Sequence, residues 1–275
     1  MKKIIQITSL AILITVTLLY LPYYGFAFYE KSVHLEMGIP TDNNPGDDYL
    51  MIKAQYALSY NKFRNTANWV SWDLNADWYG SVPRYKGKFI TDTTLPKDFT
   101  LIKNNDYNYS GFDRGHMVRS EERTKTVEDN KATFLLTNIL PQTPDLNRGP
   151  WLKLEDFCEN LCKKENKELY IVAGGIFHSA NKIKNIIAIP DSCFKIIVIL
   201  NKGQGLRNVT SNTQVIAVAM PNTMGIRNND WEMYLTTVRK IEGSTLYNFL
   251  SDVPFKIQQV IENRVWIDTF RQNKK

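Results

Sequence analysis

Apolar residues recur along the chain at two spacings, and each spacing marks a different kind of element. After Tyr49 they alternate, at Leu50, Ile52, Ala54, Tyr56 and Leu58, which predicts strand, and the stretch continues into Asn68-Trp69-Val70-Ser71-Trp72. Four short β-branched runs, at 169–173, 186–189, 194–200 and 215–220, end at turn residues such as Gly174-Gly175, Pro190-Asp191 and Pro221-Asn222 and read as further strands. After Pro150 the period changes. Trp151, Leu154, Cys158, Leu161 and Cys162 fall on one face of a helix predicted over 150–164. Two more helices are predicted, one from about 231 to 241 ending near Gly243, and one following Pro254, a residue favoured at the first helical position. Strands and helices without regular alternation predict an α+β fold, a mixed and largely antiparallel sheet flanked by helices.

The amino-terminal residues follow neither pattern. Met1-Lys2-Lys3 is basic, 4–28 carries no charge, Pro22 breaks any helix, and Gly25-Phe26-Ala27 offers small residues where an export peptidase reads. Residues 1–27 are therefore expected to be a signal peptide, or a membrane anchor if uncleaved, although Gln6, Thr8, Ser9, Thr15 and Thr17 dilute a span of that kind. The expected location is secreted or periplasmic, with membrane association only through an uncleaved leader. Residues 28–48 are rich in Pro, Gly, Asn and Asp and read as a polar lead-in linker, which leaves 49–275 as one domain without repeats.

A chain of 275 residues that is 43% hydrophobic can bury a full core, which excludes a disordered protein. Lys and Arg number 34 against 28 Asp and Glu, a net +6 that falls to +4 once Lys2 and Lys3 are removed. That excess suits a polyanionic partner without demanding one. Three cysteines exclude a disulfide scaffold. Cys158 and Cys162, four apart on the predicted helix, are too far apart to bridge each other, so either one pairs with Cys193 or all three are buried thiols.

Candidate chemistry concentrates around one of three histidines. His34 lies in the lead-in and His178 follows a Gly-rich turn, whereas His116 closes the run Gly111-Phe112-Asp113-Arg114-Gly115-His116. That run places an acid, a guanidinium able to grip a phosphate, and an imidazole able to take a proton within a few positions. In isolation, Asp113-Arg114 reads by default as a structural ion pair. Downstream stand Thr137-Asn138-Ile139-Leu140-Pro141-Gln142, then Asn147, 31 residues after His116, and Glu155, 8 residues further.

These residues resemble the signature of the DNA/RNA non-specific endonuclease family, whose active site is a ββα-metal motif. The resemblance extends from about 49 to 262 and takes in Gln55-Tyr56-Ala57-Leu58-Ser59-Tyr60, the Trp69 and Trp72 run, and Tyr234, Val238, Ile241-Glu242, Pro254 and Ile261-Glu262. It implies that His116 is the general base, Asn147 the direct ligand of Mg²⁺ or Mn²⁺, and Glu155 the residue holding metal-bound waters. It further implies that Arg84 and Arg114 grip the phosphodiester, that Asn138 supports the site, and that Asp113 acts beside the metal rather than on it. The implied substrates are DNA and RNA, single- or double-stranded, cleaved to 5′-phosphate ends with no organic cofactor.

The chemistry of the reaction is compatible with so few ligands, because Mg²⁺ keeps several of its waters. If the helix reached back to Asn147, the 8-residue separation would place it within about 80° of Glu155 around the axis. Asn is also a good helix cap, and the two roles are compatible. One position departs from the family pattern: where an arginine often follows the glutamate by one turn, this chain has Glu159. Arg148, Lys153 and Lys163 are the nearby cations available to compensate. Met117-Val118-Arg119 also lacks the proline often found after the histidine. No zinc finger or helix-turn-helix is apparent, so recognition is expected to run through phosphates. The alternative is an exported nucleic-acid-binding or uptake protein that keeps the fold with little turnover, with a phosphodiesterase acting on small esters as a further option.

Overall fold

The computed structural model describes residues 32–267. The leader expected at 1–27 lies outside them, and among the described residues no helix is long and apolar enough to cross a membrane. Ten strands are described: β1 (Tyr49–Ile52), β2 (Ala57–Asn61), β3 (Thr66–Leu74), β4 (Asp113–His116), β5 (Ile139–Gln142), β6 (Lys167–Ile176), β7 (Lys182–Ile183), β8 (Ile187–Ala188), β9 (Ser192–Asn201) and β10 (Gln214–Pro221). The helices are α1 (Val127–Ala132), α2 (Pro144–Asn147), α3 (Pro150–Lys164), α4 (Val238–Thr245) and α5 (Phe255–Ile261). The main sheet has six strands in the order β1-β2-β3-β6-β9-β10, antiparallel throughout, while β4-β5 and β7-β8 form separate two-stranded ribbons. This is the α+β architecture that the sequence pattern predicts.

Both faces of the sheet are covered, which explains why its central strands carry runs of apolar residues instead of clean alternation. All nine residues of β3 are buried. Val70 and Trp72 point into one core with Leu58, Ile197 and Ile216, whereas Trp69 points into the other with Val172, Ile196 and Val198. α3 closes the first core with Trp151, Leu154, Cys158, Leu161 and Cys162, the face predicted from its spacing. Each fully buried side chain of Leu size contributes about 1.5–3 kcal/mol. α4 and α5 close the second core through Val238, Ile241 and Ile261.

The differences from the sequence reading have local causes. The alternation from Leu50 to Leu58 is split into β1 and β2 by a turn in which Lys53 N donates to Tyr56 O. The helix expected at 231–241 is a short 3-10 turn at Trp231–Tyr234 followed by α4, because Thr237 starts a new helix by accepting from Lys240 N. α4 runs through Gly243 to Thr245. Pro254 caps α5 instead of opening it. From Ser32 onward the expected linker packs on the sheet: Leu35 and Met37 join the second core, and His34 is 3% exposed. All three cysteines are buried free thiols, which decides between the two alternatives for them.

Candidate active site

The site is assembled from a ribbon and two helices. In the β4-β5 ribbon His116 pairs with Ile139 and Arg114 with Pro141. Gly115 lies against the side chain of Gln142, where a Cβ would collide, so the backbone passes close over β5. Asn138, fully buried, fixes the chain after His116: its Nδ2 donates to Val118 O and Thr133 O, its Oδ1 accepts from Val118 N, and its carbonyl accepts from Met117 N. Asn138 thus clamps residues 117–118.

The His116 ring is held between Phe89, 5.2 Å away, and Phe134, 5.0 Å away and edge-on. Its Nε2 is enclosed and has no hydrogen-bond partner. Burial pulls its pKa down to about 3, and the Arg84 guanidinium pushes the same way against a smaller opposing effect of Glu121. The ring is therefore neutral near pH 7, the form that accepts a proton.

α2 begins at Pro144, with Thr143 accepting from Leu146 N, and ends at Asn147. Asn147 is thus on a separate helical turn and not on an extension of α3, so the expected wheel angle does not apply. Gly149 makes the joint, and its Cα faces the carbonyls of Asp145 and Arg227 too closely for a side chain. The Asn147 Nδ2 donates to Asp113 Oδ2 at 2.9 Å, which leaves the amide oxygen as the free end. Asp113 also accepts from Arg148 Nε at 2.8 Å and Nη2 at 2.6 Å.

Glu155 is 6% exposed, and its Oε1 lies 3.6 Å from the Lys195 ammonium. Burial raises its pKa to about 7, with Lys195 and then Arg119 opposing the rise. Arg119 is the residue the sequence reading missed. Its guanidinium, 5% exposed, reaches from the turn after His116 to α3, donating to Asp156 Oδ1 at 2.8 Å, Glu159 Oε2 at 2.5 Å and the Glu155 carbonyl at 3.2 Å. Lys163 Nζ donates to the other oxygen of Glu159 at 2.6 Å. Two cations therefore balance Glu159. Of the expected compensators only Lys163 takes part: Arg148 is paired with Asp113, and Lys153 with Asp230 and the carbonyls of Asn228 and Asn229. The sequence signal for Arg119 was the basic residue standing where the proline is often found.

A cleft of about 370 Å³ brings His116, Asn147, Glu155 and Arg84 together, with Arg119, Arg148 and Glu121 among its other walls. Arg84 donates to Ser120 Oγ and to Glu121 Oε1, the latter at 2.8 Å, and lies over the Phe134 ring. Arg114 does not line the cleft, contrary to expectation. Its Nη2 donates to Asn104 O at 2.6 Å and Asn108 Oδ1 at 2.9 Å, and its guanidinium lies over Tyr107 and Phe89. Arg114 and His116 both lie against Phe89, and Arg114 braces the ribbon. Among the described residues the one acidic trio with cation-ligand spacing is Asp42, Asp47 and Asp48, outside this cleft, and Asp48 there accepts from Ser59, Asn68 and Tyr247.

A two-stranded ribbon and two successive helices that present a histidine, an asparagine and a glutamate to one cleft are consistent with a ββα nuclease motif. Residues 34–256 match the model of the DNA/RNA non-specific endonuclease family, and the chain belongs to that family. It is 48% identical over 239 residues to a nuclease of Nostoc sp., covering 85% of this chain and 86% of that protein. Endonuclease G of Bos taurus is 25% identical over 222 residues, covering 76% and 71% respectively. A solved chain from the EndoG/EndoGI complex superposes with a TM-score of 0.68 at 23% identity, over 81% of this chain and 92% of that one, a likeness of fold. Family membership makes the protein a hydrolytic, non-specific nuclease.

Proposed function

We propose that the protein is an exported, divalent-cation-dependent endonuclease that hydrolyses phosphodiester bonds of DNA and RNA with little sequence preference. The observation that carries this reading is the pairing in one cleft of a neutral imidazole with an amide oxygen freed by Asp113. Asn147 Oδ1 and the Glu155 carboxylate are hard oxygen donors, few in number, and fit Mg²⁺ or Mn²⁺ better than a softer ion. Asn147 would hold the cation directly and Glu155 its waters. A cation bound there supplies Lewis-acid stabilisation of charge on the phosphate and the departing oxygen.

The chain's own groups supply the rest. His116, walled by two phenylalanines, takes the proton of the attacking water. Arg84, half exposed at the cleft, offsets the negative charge of the phosphodiester. Export rests on the basic and apolar pattern of residues 1–27 alone. The binding-protein alternative drew its support from Glu159, and Arg119 and Lys163 neutralise that carboxylate, which weakens its case.

The test is nicking of supercoiled plasmid and loss of RNA with Mg²⁺ or with EDTA, comparing wild type and His116→Ala. Cleavage should require the cation and fall about 10²–10⁴-fold in the variant while gel-shift binding persists. Binding without cleavage across several divalent cations would favour the alternative. Preferential cleavage of a nitrophenyl diester over polymer would point to small esters.

A further inference from the structure

β9 alternates between the two cores, and its α3-facing positions are Cys193, Lys195, Ile197 and Ile199. A lysine in that series is out of pattern. Lys195 is 1% exposed, and its ammonium lies 4.2 Å from the centroid of Trp151, 5.6 Å from that of Trp72 and 3.6 Å from Glu155 Oε1. Trp151 and Glu155 are four apart on α3 and so share a face, which closes over the ammonium like two fingers. The indole face contributes cation–π attraction, and Glu155 is the one carboxylate ion-paired to Lys195 among the described residues. Arg119, the next cation, bonds the Glu155 carbonyl, and its charge acts on the carboxylate less than that of Lys195.

An ammonium removed from water is stabilising only where its partner is fixed, and leaving one member of such a pair alone is costly. Lys195 therefore ties the Glu155 carboxylate to the central strand from behind, while the cleft opens in front of it. We propose that Lys195 is a positioning residue that acts through Glu155 to set the cation affinity of the cleft. This rests on the cleft being the cation site proposed above. The pair makes the sheet itself, and not only α3, part of the support for the site. Partners behind the ligands commonly change metal affinity by about 10–100-fold when removed.

The experiment is Mn²⁺ binding, followed by calorimetry and by the electron-spin-resonance signal of the free ion, for wild type, Lys195→Met, Glu155→Gln and the double variant. Methionine keeps the length and the apolar contacts with both tryptophans. Lys195→Met should weaken Mn²⁺ binding by about tenfold or more. The same substitution should change little in the Glu155→Gln background, because the effect passes through that carboxylate. Plasmid binding in EDTA should stay at the wild-type level in the single lysine variant. If Lys195→Met does not fold, Lys195→Arg takes its place and should also bind Mn²⁺ more weakly than wild type. A folded lysine variant with wild-type Mn²⁺ affinity, or equal losses with and without Glu155, would overturn the assignment and leave the reading of the cleft intact. Failure of the wild-type protein to bind Mn²⁺ would overturn both.

Discussion

The bond from Asn147 Nδ2 to Asp113 Oδ2, 2.9 Å long, joins residues 34 apart in sequence and determines which end of the amide faces the cleft. Asp113, which is not a wall of the cleft, thereby acts on the orientation of a residue that is. Asp113→Ala frees the amide to rotate and should raise the half-saturating Mg²⁺ concentration by about 10–100-fold at unchanged far-UV circular dichroism. Unaltered cation dependence in that variant would show that the amide is oriented by something else.

His34 should make stability depend on pH. Its Nε2 faces Ala54 O at 2.9 Å, its Nδ1 accepts from Asp73 N at 3.1 Å, and burial pulls its pKa down to about 4. The unfolded chain takes up this proton near pH 6.5 and the folded one only near 4, so the stabilisation is complete above 6.5 and is lost as pH falls through that window. Asp73, Glu155 and Glu262, raised to about 7 by burial, act in the opposite sense, so the imidazole has to be isolated by substitution. Urea unfolding of His34→Gln should lose less stability than wild type between pH 7 and pH 5, by about 2 kcal/mol. Parallel curves for the two proteins would contradict this.

Glu159 should be needed where it stands. Glu159→Arg would place a second guanidinium against Arg119, beside Lys163. With the side chain 29% exposed, the expected loss of unfolding free energy is about 1–3 kcal/mol, without any gain in turnover. A variant that cleaves faster at unchanged stability would mean that the cleft lacks a cation there.

The thiols should be silent. Cys158, Cys162 and Cys193 are buried, and burial raises the pKa of each, to about 12 for Cys158 and Cys193. An aromatic disulfide reagent should react with none in the native protein and with three after denaturation, and a reductant should leave Tm unchanged. Rapid modification of the folded protein would show that this core opens.

What the sequence made legible was what depends on spacing. α3 was readable from Trp151 to Cys162 because a single helical face carries its burial. His116, Asn147 and Glu155 were readable because the motif fixes their order, and the structure brings all three to one cleft. Side-chain direction was not readable. Arg114 and His116 lie two apart on β4 and share Phe89, yet one faces the loop at 104–108 and the other the cleft. Nor was the burial of His34 and Met37, since a stretch of Pro, Gly and Asn resembles linker until an inner strand and the core beside it are there to receive it. Lys195 was hidden for the opposite reason. Its neighbours are apolar, and nothing local names a partner forty residues earlier on another element.

The amide and the carboxylate of the cleft stand on two rods, α2 and α3, joined at Gly149, whose surroundings leave no volume for a methyl group. That glycine works as an elbow of fixed bend: it sets the gap between the Asn147 amide and the Glu155 carboxylate. The spacing of two groups that line the cleft is thereby decided at a residue that is not one of its walls.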